Sequence, residues 1–388
     1  MSGIRFTSCS MRDAILKKDK AAALSQVEED SGSAEGVNRI LQGMKLAGIR
    51  HQDTRFPTPH GVIYADAVRD LAPTYAGEAP ELLFRGALET LFRLDYREVR
   101  LNAFDLDEAG RPDVVAVHEF YDALAEGNTE ASFSAAARLL GAIRSHDILL
   151  ENLNFLAAHH VTRLGHTLIF THSTVKGIVD LKGEAIHEFL YGLILYLTSR
   201  DLPFPGRPAG DERELPWKIF LRRALKDPGL LHHNLIFVTH AFQAQRFAQL
   251  NRARLLPILR RSLADRFPGW EEDKEPADPA PETPPKTGEN LQSLEPSDRE
   301  PIREALLKGE ADAARASIRR VWGRVADVDP LFRPIAEACG TKGDPLMVHD
   351  LIYINAARWG AHLLGDEGLE LIDQVVDHIC RMPPRESE

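Results

Sequence analysis

The chain has 388 residues, a formal net charge of −11, 44% hydrophobic residues and 27% charged residues. These values are typical of a globular protein long enough for one large domain or two ordinary ones. The acidic balance argues against a nucleic-acid-binding protein, which normally carries a basic face. The three cysteines, Cys9, Cys339 and Cys380, are too scattered for a disulfide framework, a CxxC zinc site or an iron–sulfur cluster.

The expected subcellular location follows from two features that we do not find in the sequence, a secretory signal and a membrane-spanning segment. The N-terminus has no apolar core of a secretory signal, and the longest apolar run, residues 189–197, is too short to cross a bilayer. The scattered cysteines fit a reducing compartment. We therefore predict a cytoplasmic protein with no membrane partner and no nucleic-acid partner, and the sequence leaves the oligomeric state open.

The first half of the chain is predicted to be helical. Residues 1–33 are mixed and polar, and we expect them to be partly flexible. Apolar residues at helical spacing predict a helix that begins at Thr58 or Pro59 and runs through Leu71. The other helices predicted in this half cover residues 34–47, 80–104, 114–125, 132–144, 148–158, 160–179 and 183–199.

The second half continues in the same way. A connection rich in proline, glycine and charge, residues 201–215, precedes predicted helices at 216–226 and 231–267. Residues 268–298 contain seven prolines and almost no aliphatic residues, which predicts a linker or a long surface loop. A helical block, 299–388, follows and is expected to complete the fold of the helical domain 34–267. We find no convincing strand.

A five-residue motif occurs four times, as HGVIY from His60, HTLIF from His166, HNLIF from His233 and HDLIY from His349. A buried imidazole needs partners for both nitrogens, so histidine is a costly residue to repeat in an apolar segment. Core packing would explain the repeated aliphatic residues but not the histidines. The repetition predicts four equivalent helices that direct their imidazoles to one point, where a metal ion is the simplest shared partner.

The chain also carries an internal duplication. Residues 121–131 (YDALAEGNTEA) resemble residues 303–313 (REALLKGEADA). Each segment leads through two predicted helices to a histidine motif at nearly equal distance, His166 in the first copy and His349 in the second. The sequence therefore predicts a repeat-built all-α bundle around a buried, histidine-rich metal site.

Each motif helix carries a further polar residue six or seven positions after its histidine: Asp66, His172, His240 and Asn355. Seven residues are close to two helical turns, so His240 is expected on the face of His233, whereas six residues rotate His172 away from the face of His166. We predict that His240 or His172 is an additional ligand or a proton-transfer group. His159 lies seven residues before His166 and is an alternative to it.

One acidic residue beside a motif histidine could hold an imidazole ring in place by a hydrogen bond. Asp350 follows His349 directly, and a carboxylate there can orient an imidazole through its far nitrogen.

The four-histidine helical pattern resembles the questin oxidase family of polyketide-modifying oxygenases. The resemblance implies a non-haem iron with His60, His166, His233 and His349 as its ligands. Members of that family also use a carboxylated lysine, but no lysine follows Lys342 here, so the helix of the last histidine lacks one. Lys176 lies on the helix of His166 in the wrong register, which leaves the fifth position to His240, His172, a carboxylate or water.

These observations favour a non-haem iron oxygenase that acts on an aromatic or polyketide-like small molecule, and the motif aromatics, Tyr64, Phe170, Phe237 and Tyr353, would line its pocket. Two other classes stay open. Zinc in the same site would favour a hydrolase that lowers the pKa of bound water. A protein without metal would be a helical-repeat scaffold whose histidines are paired with protein groups.

Overall fold

The computed structural model describes residues 8–52, 58–75, 78–104, 113–143, 146–160, 164–200, 213–249, 252–273, 291–342 and 347–383. Within these ranges the regular structure is helical, and β pairing is limited to two isolated bridges, His51 with Tyr96 and Leu291 with Val325. The predicted all-α fold is thus confirmed. Most of the predicted connection, residues 201–212, and the centre of the predicted linker, residues 274–290, lie outside the described residues.

The helices are numbered in chain order. The first five are α1 (Ser10–Leu16), α2 (Lys20–Asp30), α3 (Ala34–Gly48), α4 (Gly61–Leu71) and α5 (Glu81–Phe92). The next eight are α6 (Asp113–Ala125), α7 (Thr129–Ala142), α8 (Asp147–His159), α9 (His166–Asp180), α10 (Ile186–Thr198), α11 (Trp217–Lys226), α12 (His233–Phe247) and α13 (Arg252–Arg266). The last five are α14 (Pro296–Lys308), α15 (Ala311–Trp322), α16 (Asp329–Thr341), α17 (Met347–Leu364) and α18 (Gly368–Arg381).

Three predicted segments differ from the structure, and one of them, the single helix predicted over 231–267, is two helices, α12 and α13. The N-terminal segment contains two helices in its described part, because Ile15 of α1 and Val27 of α2 are fully buried in the core despite the polar composition around them. The helix predicted over 80–104 ends at Phe92. Beyond it, the N–H of Arg97 donates to the carbonyl of Arg50 over 2.8 Å, so this stretch pairs with another segment instead of continuing the helix.

The proposed duplication is visible in the turns between α6 and α7 and between α14 and α15. Gly127 (φ +68°) and Gly309 (φ +76°) both adopt the left-handed conformation that commonly ends a helix. In each turn the next residue donates its N–H to the carbonyl five positions earlier, at 2.9 Å. Each hairpin is followed by one further helix and then by a motif helix, α9 or α17. The two copies therefore share local structure as well as sequence.

The centre of the molecule is a ring of the four motif helices. In this ring α4 contacts α9, α9 contacts α12, α12 contacts α17, and α17 contacts α4. The histidines at the N-terminal ends of these helices lie together, so the four helices run parallel. Parallel neighbours cannot be joined by tight turns, and the remaining helices supply the crossovers. The motif aliphatic and aromatic residues are buried and form part of the core: Ile63, Ile169, Ile236, Ile352, Tyr64, Phe170, Phe237 and Tyr353.

None of the described helices is both long enough and apolar enough to be a candidate for crossing a membrane.

Candidate metal centre

Each motif histidine lies at the start of its helix. His60 is the N-cap of α4, His166 and His233 are the first residues of α9 and α12, and His349 is the third residue of α17. The residue before His166 is Gly165, whose φ of +72° lets the chain turn sharply into α9. A Cβ at that glycine would come within 2.3 Å of the Phe237 ring, so the close approach of α9 to α12 also depends on glycine.

The four imidazoles form one cluster, here called the His tetrad (His60, His166, His233 and His349). Ring centroids of neighbours lie 5.0 Å apart for His60 and His166, 4.6 Å for His166 and His233, 5.3 Å for His233 and His349, and 4.5 Å for His349 and His60. This cyclic order is the order of the helices in the ring. One nitrogen from each imidazole lies within 4.8 Å of those of the other three, and the group could hold a metal ion.

The spacing of the ring nitrogens fits shared coordination. The Nε2 atoms of His60 and His166 are 3.3 Å apart, and those of His166 and His233 are 2.8 Å apart. Two nitrogens bound to one metal ion at about 2.0–2.1 Å lie roughly 2.8–3.0 Å apart at a right angle and roughly 3.3–3.4 Å apart at a tetrahedral angle. These two spacings therefore suit nitrogens that share one metal ion.

The protons of these imidazoles point to the same conclusion. The carbonyl of Leu230 only accepts, so Nδ1 of His233 donates to it over 2.6 Å and the Nε2 of a neutral His233 presents a lone pair. If His166 donates its Nε2 proton to that lone pair, it has neither a proton nor a lone pair left for the Nε2 of His60. A metal ion accepts the lone pairs of all these rings and removes the mismatch, so the residues present fit such a group.

Burial keeps three of the tetrad histidines, His60, His166 and His233, neutral. Burial is the main cause that lowers the pKa of His60 well below the ordinary value, and the neighbouring imidazoles lower it further. Burial followed by the charges of His233 and His349 lowers the pKa of His166 to about 3. The pKa of His233 is lowered by burial, against the hydrogen bond to Leu230, which raises it. Neutral imidazole is the form that binds metal.

The four histidines are not equally accessible. His60 and His233, which are not neighbours in the cyclic order, are 5% and 2% exposed. His166 and His349 are half-buried. A ligand from solvent can therefore approach the tetrad past His166 or His349.

The positions six or seven residues after the tetrad form a separate polar layer inside the ring, with Asp66, His172, His240 and Asn355 all buried. The rings of His172 and His240 are 6.3 Å apart, and Nδ1 of His240 donates to the carbonyl of Ile236 over 2.7 Å. Among the described residues, the group of four that could hold a metal ion is the tetrad, and neither His172 nor His240 is part of it. Their role as an additional ligand or a proton-transfer group stays a prediction.

A buried ionic network, not predicted from the sequence, begins at Asp66 of this layer and extends toward the C-terminal ends of the motif helices. Lys176 of α9 contacts Asp66 at 2.8 Å and Asp70 at 2.7 Å, both on α4. Lys45 of α3 contacts Asp66 at 3.0 Å and also Asp180. Burial alone would lower the pKa of Lys176, but the two aspartates outweigh it and raise that pKa. Lys176 is thus engaged with carboxylates and does not reach the tetrad, as its register predicted.

The outer end of this network opens to a cavity. A cavity of about 760 Å³ lies at the C-terminal ends of α4 and α9, with Lys45, Arg69 and Asp180 among its lining residues. It lies at the opposite end of the helices from the tetrad, so the two features are distinct.

Other predicted residues have different partners. Asp350 was expected to orient an imidazole of the tetrad, but its Oδ1 accepts a hydrogen bond from Nε2 of His378 on α18, at 2.8 Å. In the described structure Asp350 therefore connects α17 to α18 through a side-chain hydrogen bond. His159 lies at the end of α8 against Phe155, so the alternative ligand to His166 is not used.

The four motif aromatics are buried, and three of them contact side chains outside the motifs. Phe170 packs against Tyr196 at 4.4 Å, the guanidinium of Arg266 lies 4.4 Å from the centroid of Phe237, and His232 stacks on Tyr353 at 3.7 Å. These contacts explain the aromatics as core residues, and their role as pocket walls stays a prediction.

A second group of possible ligands is satisfied within the protein. Asp327, Asp329 and His362 lie close together, but Arg358 binds Asp329 through two hydrogen bonds of 2.7 Å and His362 contacts it at 2.5 Å. These partners outweigh burial and lower the pKa of Asp329 to about 2. The group is accounted for as a surface ion-pair network.

Comparison with known proteins finds no family model, no curated protein and no solved structure that matches this chain.

Proposed function

We propose that this protein is a metal-dependent oxygenase, with a non-haem iron held by the His tetrad and an aromatic or polyketide-like small molecule as substrate. The observation that carries the proposal is the convergence of four imidazoles from four parallel helices. Imidazole nitrogen suits iron, zinc and copper, and a set of four leaves room for a further ligand on a metal that takes more than four. The resemblance to the questin oxidase pattern favours iron and an oxygenase among these possibilities.

The protein groups around the tetrad have separate tasks in this proposal. The carbonyl of Leu230 fixes the ring of His233 with its Nε2 directed into the cluster. His60 and His233 are held in the water-excluded interior, while the half-buried His166 and His349 border the approach for a small molecule. When bound, iron would supply the binding position and the redox chemistry for dioxygen. The residues themselves would hold, orient and shield that centre.

The experiment is elemental analysis of the purified protein after anaerobic reconstitution with ferrous iron, alongside two variants. His233→Ala removes a tetrad member, and His118→Ala removes an exposed histidine of α6 as the matched control. We expect near-stoichiometric iron in the parent and in His118→Ala, and loss of most iron in His233→Ala. Dioxygen consumption with aromatic test substrates would then follow the same order.

Other results would redirect or end the proposal. Zinc retained through purification with the same dependence on His233, and no dioxygen consumption with iron, would favour the hydrolase. Equal metal content in His233→Ala and His118→Ala would eliminate the tetrad as the metal centre. Absence of metal from all samples would leave the scaffold interpretation.

A further inference from the structure

The ends of the motif helices give the tetrad an unusual electrostatic setting. All four helices point their N-terminal ends, which carry partial positive charge, toward the same cluster. Helix first turns usually favour acidic residues, but the first turns of α4, α9 and α12 contain none. None of these three helices has a side-chain hydrogen bond at its N-cap. The first turn of α17 contains Asp350, whose Oδ1 is engaged by His378.

Two arginines add positive charge. After burial and the neighbouring imidazoles, Arg200 and Arg266 contribute to the lowered pKa of His166, and Arg266 also lowers that of His233. Arg266, the last residue of α13, donates to the side chain of Asn234 at 2.8 Å and lies over the ring of Phe237. Its own pKa is lowered to about 10 by burial.

The ligand set itself supplies no negative charge. The metal-binding group consists of four imidazoles and contains no carboxylate or thiolate from the described residues. A divalent ion among neutral ligands keeps its full charge, and a largely buried, uncompensated charge is costly. The helix ends and the two arginines increase that cost, because each of them repels a cation and attracts an anion. Asp350 is the acidic residue next to the tetrad, but it is not part of the ligand group, so a bound anion is the simplest source of negative charge on the metal itself.

We propose that the tetrad binds its metal together with an anionic small molecule, and that the substrate class is one that presents an anionic oxygen, such as an enolate, a phenolate or a carboxylate. This inference rests on the proposed function and narrows it, because neutral molecules of the same shape are disfavoured. The anion approaches past His166 and His349, the half-buried members of the tetrad, and Arg266 stabilises it at longer range.

The test uses cobalt(II), whose visible spectrum reports its ligands, in place of iron. The cobalt-loaded full chain is titrated with sodium acetate and, separately, with acetamide, its neutral counterpart of nearly the same shape. We expect acetate to change the cobalt spectrum in a saturable way and to bind about tenfold or more tighter than acetamide. Equal affinities, or no spectral change with either compound in a stoichiometric cobalt protein, would overturn the inference.

Two variants test the source of the selectivity. Arg266→Gln should keep the cobalt stoichiometry and weaken acetate binding roughly three- to tenfold with little effect on acetamide. Arg319→Gln is the control, because Arg319 lies on α15 and pairs with Asp373 of α18, outside the ring of motif helices. Equal acetate affinities in both variants would remove Arg266 from the proposal. If Arg266→Gln does not fold, Arg200→Gln takes its place.

The outcomes also separate this inference from the proposed function. If the parent protein takes up no cobalt, the proposed metal centre fails and the anion site fails with it. If cobalt binds through the tetrad but acetate has no advantage over acetamide, the metal centre stands and only the anionic substrate class is lost.

Discussion

Lys176 and Asp70 form an ion pair of 2.7 Å inside the ring of motif helices, and each lies ten residues after a tetrad histidine. The equivalent positions on α12 and α17 are Gln243 and Trp359, which lie 3.4 Å from Lys176 and 3.2 Å from Asp70. The four helices thus stay in register from their first residues to positions about 15 Å further along their axes. The parallel ring is therefore held at two levels, by the tetrad at one end and by the ionic network at the other.

Replacement of Lys176 by methionine should destabilise the protein strongly. The side chains of Asp66 and Asp70 are 2% and 3% exposed, so loss of the shared cation leaves buried negative charge, with Lys45 and Arg69 as the remaining cations that pair with it among the described residues. We expect the free energy of unfolding, measured with urea, to fall by about 3 kcal/mol or more.

The matched control is Lys308→Met. Lys308 pairs with Glu304 at 3.4 Å on the surface of α14, where both side chains are well exposed. That change should cost about 0.5 kcal/mol or less. Similar losses in the two variants would show that the ionic network does not stabilise the ring.

Acidification should destabilise the metal-free protein through its buried histidines. Burial, followed by the charge of Lys176, lowers the pKa of His172 to about 3, whereas the unfolded chain has the ordinary value of 6.5. Between these two values the unfolded state binds more protons than the folded state, so stability falls as the pH falls from 6.5 toward 3. Each such histidine contributes a slope of about 1.4 kcal/mol per pH unit.

Substitution tests whether His172 contributes to the slope of unfolding free energy against pH. His172→Phe should reduce the slope of unfolding free energy against pH by one proton, even if the absolute stability also changes. His118→Gln, at an exposed position of α6, should leave the slope as it is in the parent. An unchanged slope in His172→Phe would mean that this histidine is already charged, or exposed, in the folded protein.

The tetrad could be predicted from the sequence because its signal is local and repeated. The same five-residue motif recurs wherever a helix of the ring begins, so neither the connections nor the packing had to be known. The helix boundaries were less predictable: the helix predicted over 160–179 begins at His166, and the one predicted over 231–267 is divided into α12 and α13. The end of α5 is an example: the chain beyond it pairs with a distant segment, Arg97 with Arg50, and local periodicity contains no information about such a pairing.

The ionic network could not be predicted in this way. Its pairs join residues far apart in sequence, and they require the knowledge that α4 and α9 run parallel in matched register. One signal was present: Lys45 lies on the apolar face of α3, four residues after Leu41, where an ordinary surface lysine is not expected. The partner of Asp350 on α18 was likewise set by a neighbour that only the fold brings close.

Gly165→Ala should disturb the start of α9. The substituted residue would have to keep a φ of +72°, and its Cβ would lie 2.3 Å from the Phe237 ring. The left-handed conformation costs about 1 kcal/mol and the clash about 1–3 kcal/mol more. We expect both a lower unfolding free energy and weaker metal binding, since His166 is the next residue.

Gly269→Ala provides the matched control. Gly269 has a φ of +74°, but a Cβ there would meet no atom within 4 Å. It should show the backbone cost alone and leave metal affinity unchanged. If both variants lose the same stability and keep the same metal affinity, the close approach of Gly165 to Phe237 does not position the tetrad.

Metal addition should stabilise the folded protein through the tetrad and not through the polar layer below it. A ligand that binds only the folded state at 100 times its dissociation constant adds about 2.7 kcal/mol to the free energy of unfolding. We expect an increase of this order with ferrous iron under anaerobic conditions in the parent and in His172→Phe. His60→Ala should lose it, because a buried member of the tetrad is missing. The measurement is urea unfolding with and without metal, so the comparison within each variant cancels any change in its intrinsic stability. Loss of the increase in His172→Phe would place that histidine among the ligands, and an increase retained in His60→Ala would remove His60 from them.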